Sequence, residues 1–255
     1  MMFKIDDLTL LSGIDIPIPE LKVNIHQPTI REIAYVGERD FYHAASILRV
    51  DGEELALRED MTDEDKSFLL SQTNFQILMS MISDNSTEAQ MLKNKLIILL
   101  TLLFPRYTID IEERMWFLNS ADGNGMVVID ENNFSALQSI VGIILCLNKT
   151  SEEEFNPIDD RARAIAEKIK RGRAKAAAQR GEKSEQEDSI LSRYISGLSI
   201  GTNSLDINKL LELTLYQLFD QLERYGLYTA YDLSIKARMA GASDVEEIDW
   251  LKNIH

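Results

Sequence analysis

Apolar residues in this chain recur mainly at intervals of three and four, with short alternating runs near the start and the middle. Phe3, Ile5 and Leu8, then Ile14, Ile16 and Ile18, largely alternate with polar or proline positions. This predicts strands and turns, which Pro17 and Pro19 restrict to an edge strand or an extended segment. Pro28 stands where a helix can begin, with Thr29, Ile30, Ile33, Ala34 and Gly37 at helical spacing, and residues 41–50 extend the pattern. A helix from Thr62 carries Phe68, Leu69, Phe75, Leu78, Met79 and Ile82, with Thr62 and Asp65 as a capping pair. Another starts at Asn85 or Ser86 and becomes apolar all round between Leu96 and Phe104, a sign of central burial, before Pro105 ends it. Met115–Leu118 and Met126–Ile129 are β-prone runs joined through Asp122-Gly123-Asn124-Gly125, with Tyr107–Ile111 as a further strand. Asn132 is placed to cap a helix carrying Phe134, Leu137, Ile140, Val141 and Ile144.

The C-terminal stretch is patterned most densely. Leu211, Leu215, Leu218, Phe219 and Leu222 form one helical stripe. A second helix is expected after Gly226, carrying Leu227, Tyr231, Ile235 and Met239 and stopping at Gly241. A short third one is expected from Ser243, with Glu246 as its capping-box partner, ahead of Ile248 and Leu251.

These elements predict a mainly α protein with a small antiparallel β element, an α+β fold that ends in a helical unit. Composition changes at Ser151-Glu-Glu-Glu154 and again over Gly181–Asp188, a polar run with no large apolar residue that reads as a mobile linker. The predicted organisation is therefore an α+β domain over 1–150, a charged helix and linker over 151–188, and the helical unit over 189–255.

The net charge of −15 argues against general affinity for nucleic acid. One segment runs the other way: from Arg161 to Lys183, nine basic residues stand against Glu167 and Glu182, so this stretch is +7 and the remainder −22. Its thin apolar stripe and lack of aromatics suit a solvated linker helix first, a partner-binding arm second and a nucleic-acid contact last. The lone Cys146, within an apolar helical run, reads as a small buried hydrophobe. The first twenty residues contain Lys4, Asp6, Asp7, Asp15 and Glu20 without an apolar h-region, which points to the cytoplasm. The most apolar runs fall far short of the roughly 20 residues a membrane span needs.

Catalytic chemistry finds no footing. His26, His43 and His255 are scattered, Asp6-Asp7, Asp159-Asp160 and Glu246-Glu247 read as solvated faces, and phosphate-binding glycine loops and nucleophile elbows are absent. The glycines near Asp122 serve a turn, since the ligand ladder of a calcium loop is missing. No catalytic residue, cofactor site or metal site is assigned. What remains is the set Tyr216, Phe219, Glu223, Arg224, Tyr225, Tyr228, Tyr231 and Trp250. It reads first as the core of a small helical unit and second as a protein-binding face anchored by Tyr216, Arg224, Tyr228, Tyr231 and Trp250, because Tyr, Trp and Arg dominate interface anchors.

The run Leu213-Thr-Leu-Tyr-Gln-Leu-Phe-Asp-Gln-Leu-Glu-Arg-Tyr225, with Met239-Ala-Gly-Ala242 and Asp249-Trp-Leu-Lys252, resembles the C-terminal part of the tail assembly chaperones of tailed bacteriophages. Ile25-His-Gln-Pro-Thr-Ile-Arg-Glu-Ile33 with Gly37-Glu38, and Phe155-Asn-Pro157 leading into Ala164-Ile-Ala-Glu-Lys-Ile169, look like the same kind of protein. The resemblance implies a non-enzymatic assembly factor that binds phage tail proteins in the host cytoplasm. The alternatives are a structural tail or baseplate component of the virion and, behind it, a host-acting regulator using the basic helix. Oligomerisation with its own copies stays open.

Overall fold

The computed structural model describes residues 5–56, 61–84, 86–112, 114–123, 125–147, 189–202, 205–243, 245, 247–252 and 254. Met1–Leu147 and Leu191–His255 form one compact unit. The basic helix and the linker up to Asp188 lie outside the described residues.

The first helix, α1 (Asp7–Ser12), replaces the strand expected around Leu8. Asp6 caps it by accepting a hydrogen bond from the Thr9 N–H, and Gly13 closes it in the left-handed conformation. A capped turn at both ends outweighs a two-residue alternation this short. The hairpin β1 (Ile16–Ile18) and β2 (Val23–Ile25) follows, with Pro17 pairing with Asn24 on its outer face.

The long helices expected on either side of Gly37 and Ser71 are each divided in two. Thr29 caps α2 (Ile30–Val36) through a full capping box with Glu32, and Gly37, at φ 95°, separates it from α3 (Glu38–Leu48). After α4 (Gly52–Ala56) come α5 (Asp63–Leu70), capped by Thr62, and α6 (Asn74–Ile82), capped by a second box between Thr73 and Gln76. Helix α7 (Thr87–Leu103) starts from Ser86 and is central on one side only: Leu96, Leu99, Leu100 and Leu103 are buried, whereas Ile98 is 47% exposed.

The meander β3 (Tyr107–Ile111), β4 (Trp116–Ser120) and β5 (Met126–Ile129) is antiparallel throughout, with Trp116 opposite Ile111 and Ile129. Its register turns the peptide groups of Ile111 and Val128 outward, one at each edge. Lys93 Nζ donates to the Ile111 carbonyl (2.9 Å) and Asn133 Nδ2 to the Val128 carbonyl (2.9 Å). Asn133, not Asn132, stands at the start of α8 (Phe134–Ile144), and its side chain serves the strand instead of the helix.

Trp116, Phe75 and Phe134 meet in the core with ring centroids 5.2–5.5 Å apart, and the Trp116 indole donates to Met79 Sδ at 3.1 Å. Aromatic pairs of this kind add about 0.5–1.5 kcal/mol each beyond their buried area. Helix α8 ends with Leu147 N–H on the Gly142 carbonyl and Cys146 N–H on that of Ile143. This six-residue closure needs a left-handed residue, and Cys146 supplies it at φ 53°. Cys146 is thus a half-buried helix stop, not the fully buried hydrophobe its surroundings suggest.

The last three helices are α9 (Ile190–Thr202), α10 (Ile207–Leu211) and α11 (Leu215–Met239). Leu191, Ile195 and Leu198 of α9 and Leu215, Tyr216 and Leu218 of α11 join the same core as the N-terminal elements. Thr29 and Thr214, each an N-cap, form an antiparallel bridge; Ile30 N–H donates to the Leu213 carbonyl (2.8 Å), and Arg31 pairs with Glu212 (2.6 Å). Two expectations fail in this region. Helix α11 runs unbroken through Gly226, because a single glycine costs a helix only about 1 kcal/mol, and the Thr229 hydroxyl bonds back to the Tyr225 carbonyl instead of capping a new start. Among the described residues after Gly241 none is helical, and Ser243 starts no helix.

Candidate functional site

Helix α11 changes character along its length. Its first turns are anchored: Thr214 and Gln217 form a capping box, Gln217 Nε2 donates to the Leu11 carbonyl (2.7 Å), and Leu215, Tyr216 and Leu218 are buried. The Tyr216 hydroxyl reaches Asp7 (3.2 Å); burial, then the Asp7 charge, raises its pKa far above the ordinary phenol value. Phe219 meets Tyr194 of α9 edge to face, with centroids 6.1 Å apart. Past Gly226 the helix stands more open, with Tyr228 at 50% exposure and Met239 at 83%.

Gly241, at φ 95°, closes α11 by donating to the Arg238 carbonyl, with Ala242 N–H on that of Ala237. Beyond it the chain comes back along the helix. Arg238 Nη2 donates to the Val245 carbonyl (3.2 Å), and Arg224 Nη1 donates to the carbonyls of Trp250 (3.3 Å) and Lys252 (2.7 Å). The Trp250 ring lies 5.5 Å from Tyr228, edge to face, and 6.5 Å from Tyr231. Arginines hold the carbonyls of Val245, Trp250 and Lys252 in this returning segment, where the expected third helix does not form. Arg224 is oriented from behind by Asp220, whose carboxylate lies 3.9 Å from Nε and is 7% exposed.

Of the five residues assigned to a binding face, the structure brings together Arg224, Tyr228, Tyr231 and Trp250. Tyr216 lies apart from them, in the core at the buried start of the same helix. The arrangement offers aromatic edges and a fixed guanidinium aimed at main-chain carbonyls, the equipment for holding polypeptide.

Two other places carry polar groups that spacing alone does not reveal. His26 lies between Asp15 (Nδ1, 2.9 Å) and Glu32 (Nε2, 3.2 Å), and Glu32 also accepts from the N–H and hydroxyl of Thr29. Burial lowers the His26 pKa, but its hydrogen bonds to both carboxylates and their charges outweigh this and raise it. The second is a groove of about 580 Å³ between α6, α7 and the β3–β4 turn, lined by Met79, Ile82, Lys93, Glu112, Arg114 and Met115. Among the described residues no three His, Cys, Asp or Glu side chains gather as for a metal, and no helix is long and apolar enough to cross a membrane.

No curated protein and no solved structure matches the chain significantly. The family described as YomV second domain matches residues 183–255, the stretch that contains the aromatic face. Over those residues the chain is similar to a phage-associated domain family.

Proposed function

We propose that this chain is a non-enzymatic assembly factor of phage tail morphogenesis, binding unassembled tail components in the host cytoplasm through the outer half of α11. The observation that carries the reading is the joining of Arg224, Tyr228, Tyr231 and Trp250 on a partly exposed surface within the stretch similar to a phage-associated domain. Aromatic and arginine side chains so placed are the usual anchors of protein interfaces. The net charge of −15 favours solubility of a complex that covers apolar client surface. The resemblance to tail assembly chaperones at both ends of the chain supports the same reading.

The test is affinity purification of the tagged chain from infected cells, beside mass spectrometry of purified virions. Wild type is expected to retain tail proteins and Tyr228→Ala to lose them at an unchanged melting temperature; Arg224→Ala should lose them too, with a lower melting temperature because the cation beside the buried Asp220 is gone, while virions lack the chain. Its presence in virions at fixed stoichiometry would instead make it a structural component. Equal recovery of tail proteins by all three versions would place the interface elsewhere.

A further inference from the structure

We infer that the Arg224–Tyr228–Tyr231 face is a peptide-binding groove that the chain keeps filled with its own segment 247–252, and that its partner is a short peptide that turns at an aromatic anchor. The inference rests on the reading of this face as the client site and adds what the client must offer and what it must displace.

The segment itself shows what the face accepts. It turns at Trp250–Leu251, with Lys252 N–H on the Asp249 carbonyl (3.4 Å), and Arg224 Nη1 donates to the carbonyls of Trp250 and Lys252, a pattern that does not depend on side chains. The contact that depends on sequence is one ring, Trp250, set edge-on to Tyr228 and near Tyr231. Main-chain hydrogen bonds of this kind give affinity, and the ring that the tyrosines take gives selection.

The occupancy is incomplete. Tyr228 remains 50% exposed beneath the segment and Leu251 is 68% exposed above it, so the resident covers only part of what it sits on. Arg224 lies 3.9 Å from the buried carboxylate of Asp220, which favours keeping its charge at this place. Where the segment leaves, water replaces the two carbonyls on Nη1, and carbonyls of an incoming peptide can take their place in turn. Gly241, left-handed at the end of α11, is the point from which the segment can swing. A client must therefore compete with the resident, and its apparent affinity falls by the fraction of molecules in which the groove is filled.

The experiment uses the full chain and a synthetic peptide, Glu-Ile-Asp-Trp-Leu-Lys, the sequence of residues 247–252. Binding is followed by fluorescence anisotropy of the labelled peptide. Trp250→Ala, which removes the resident anchor, is expected to bind the peptide at least about ten-fold more tightly than wild type. Trp250→Phe, which keeps a ring, should fall between them. Adding Arg224→Ala to Trp250→Ala should abolish the gain. Equal affinity for wild type and Trp250→Ala, or a gain that persists without Arg224, overturns the inference. The assembly reading is scored separately by retention of tail proteins. Peptide binding that follows this order without retention leaves the groove standing and removes the assembly role; retention without the order does the reverse.

Discussion

Replacing His26 by glutamine tests the electrostatics of the junction where α2 meets the C-terminal helices. His26 bridges Asp15 and Glu32, and Glu32 holds the cap of α2 through Thr29, which is bridged to Thr214. A hydrogen bond to a charged group contributes about 1.5–3 kcal/mol when sheltered. The His26 side chain is 23% exposed and its two carboxylates are 38% and 40% exposed, so solvent screening brings the pair down to about 1–2 kcal/mol together. In a chain of this size that corresponds to roughly 3–6 °C in Tm. The sign follows from the shifts. Because the folded pKa of His26 lies above its ordinary 6.5, the stabilisation is complete below that value and is lost as pH rises through the folded pKa. Glu32 behaves oppositely. Burial pushes it up, but its bonds to Thr29 and His26 win and hold it below its ordinary 4.5, so its contribution is present above 4.5 and is lost as pH falls through the folded value. The wild-type advantage over His26→Gln should therefore be greatest between about pH 4.5 and 6.5 and fade toward alkaline pH. Thermal melts of both proteins across that range measure it. A difference independent of pH, or one that grows toward alkaline pH, would refute the bridge.

Gly201→Ala should destabilise by about 1–3 kcal/mol, because a Cβ there would meet the Tyr225 ring where α9 crosses α11; urea titration would show it, and an unchanged midpoint would mean the helices stand further apart. Cys146→Gly should leave Tm level or raise it by up to about 1 kcal/mol in stability, since glycine adopts the left-handed closure of α8 without strain. Differential scanning calorimetry distinguishes this from the loss that removing a half-buried side chain ordinarily brings. Trp116→Ala should cost about 3–5 kcal/mol, as it empties the site shared with Phe75 and Phe134, and an unfolding curve near wild type would contradict that packing.

What the sequence made legible was the mainly α fold with its antiparallel β element and those boundaries fixed by local chemistry. Thr62, Ser86, Pro105 and Gly241 each act within their own turn of chain and stand where the pattern puts them. The capping pair Thr214 and Gln217 carried the same kind of signal and marks the break inside the Leu211–Leu222 stripe, which apolar spacing alone runs through. Gly226 misleads for the opposite reason: its local preference for a break is real but worth only about 1 kcal/mol, too little to interrupt α11. The binding face was only half legible. Tyr228 and Tyr231 share a side of α11 by their spacing, and Arg224 lies one turn earlier. That Trp250 comes back onto them depends on arginine bonds across more than twenty residues, which no periodicity encodes. The His26 bridge, with partners eleven residues before it and six after, is hidden for the same reason.

The two side chains that cap the three-stranded sheet narrow the ways in which another chain can add to it. An open strand edge will pair with almost any extended chain, since its hydrogen bonds are blind to sequence. With Lys93 on the Ile111 carbonyl and Asn133 on that of Val128, that indiscriminate mode is closed at one position on each edge. An incoming strand loses a ladder hydrogen bond at each of these positions, which shifts recognition toward surface side chains, whose fit a single substitution can retune. The choice of partner can thus drift with a changing client while the fold that presents it stays fixed.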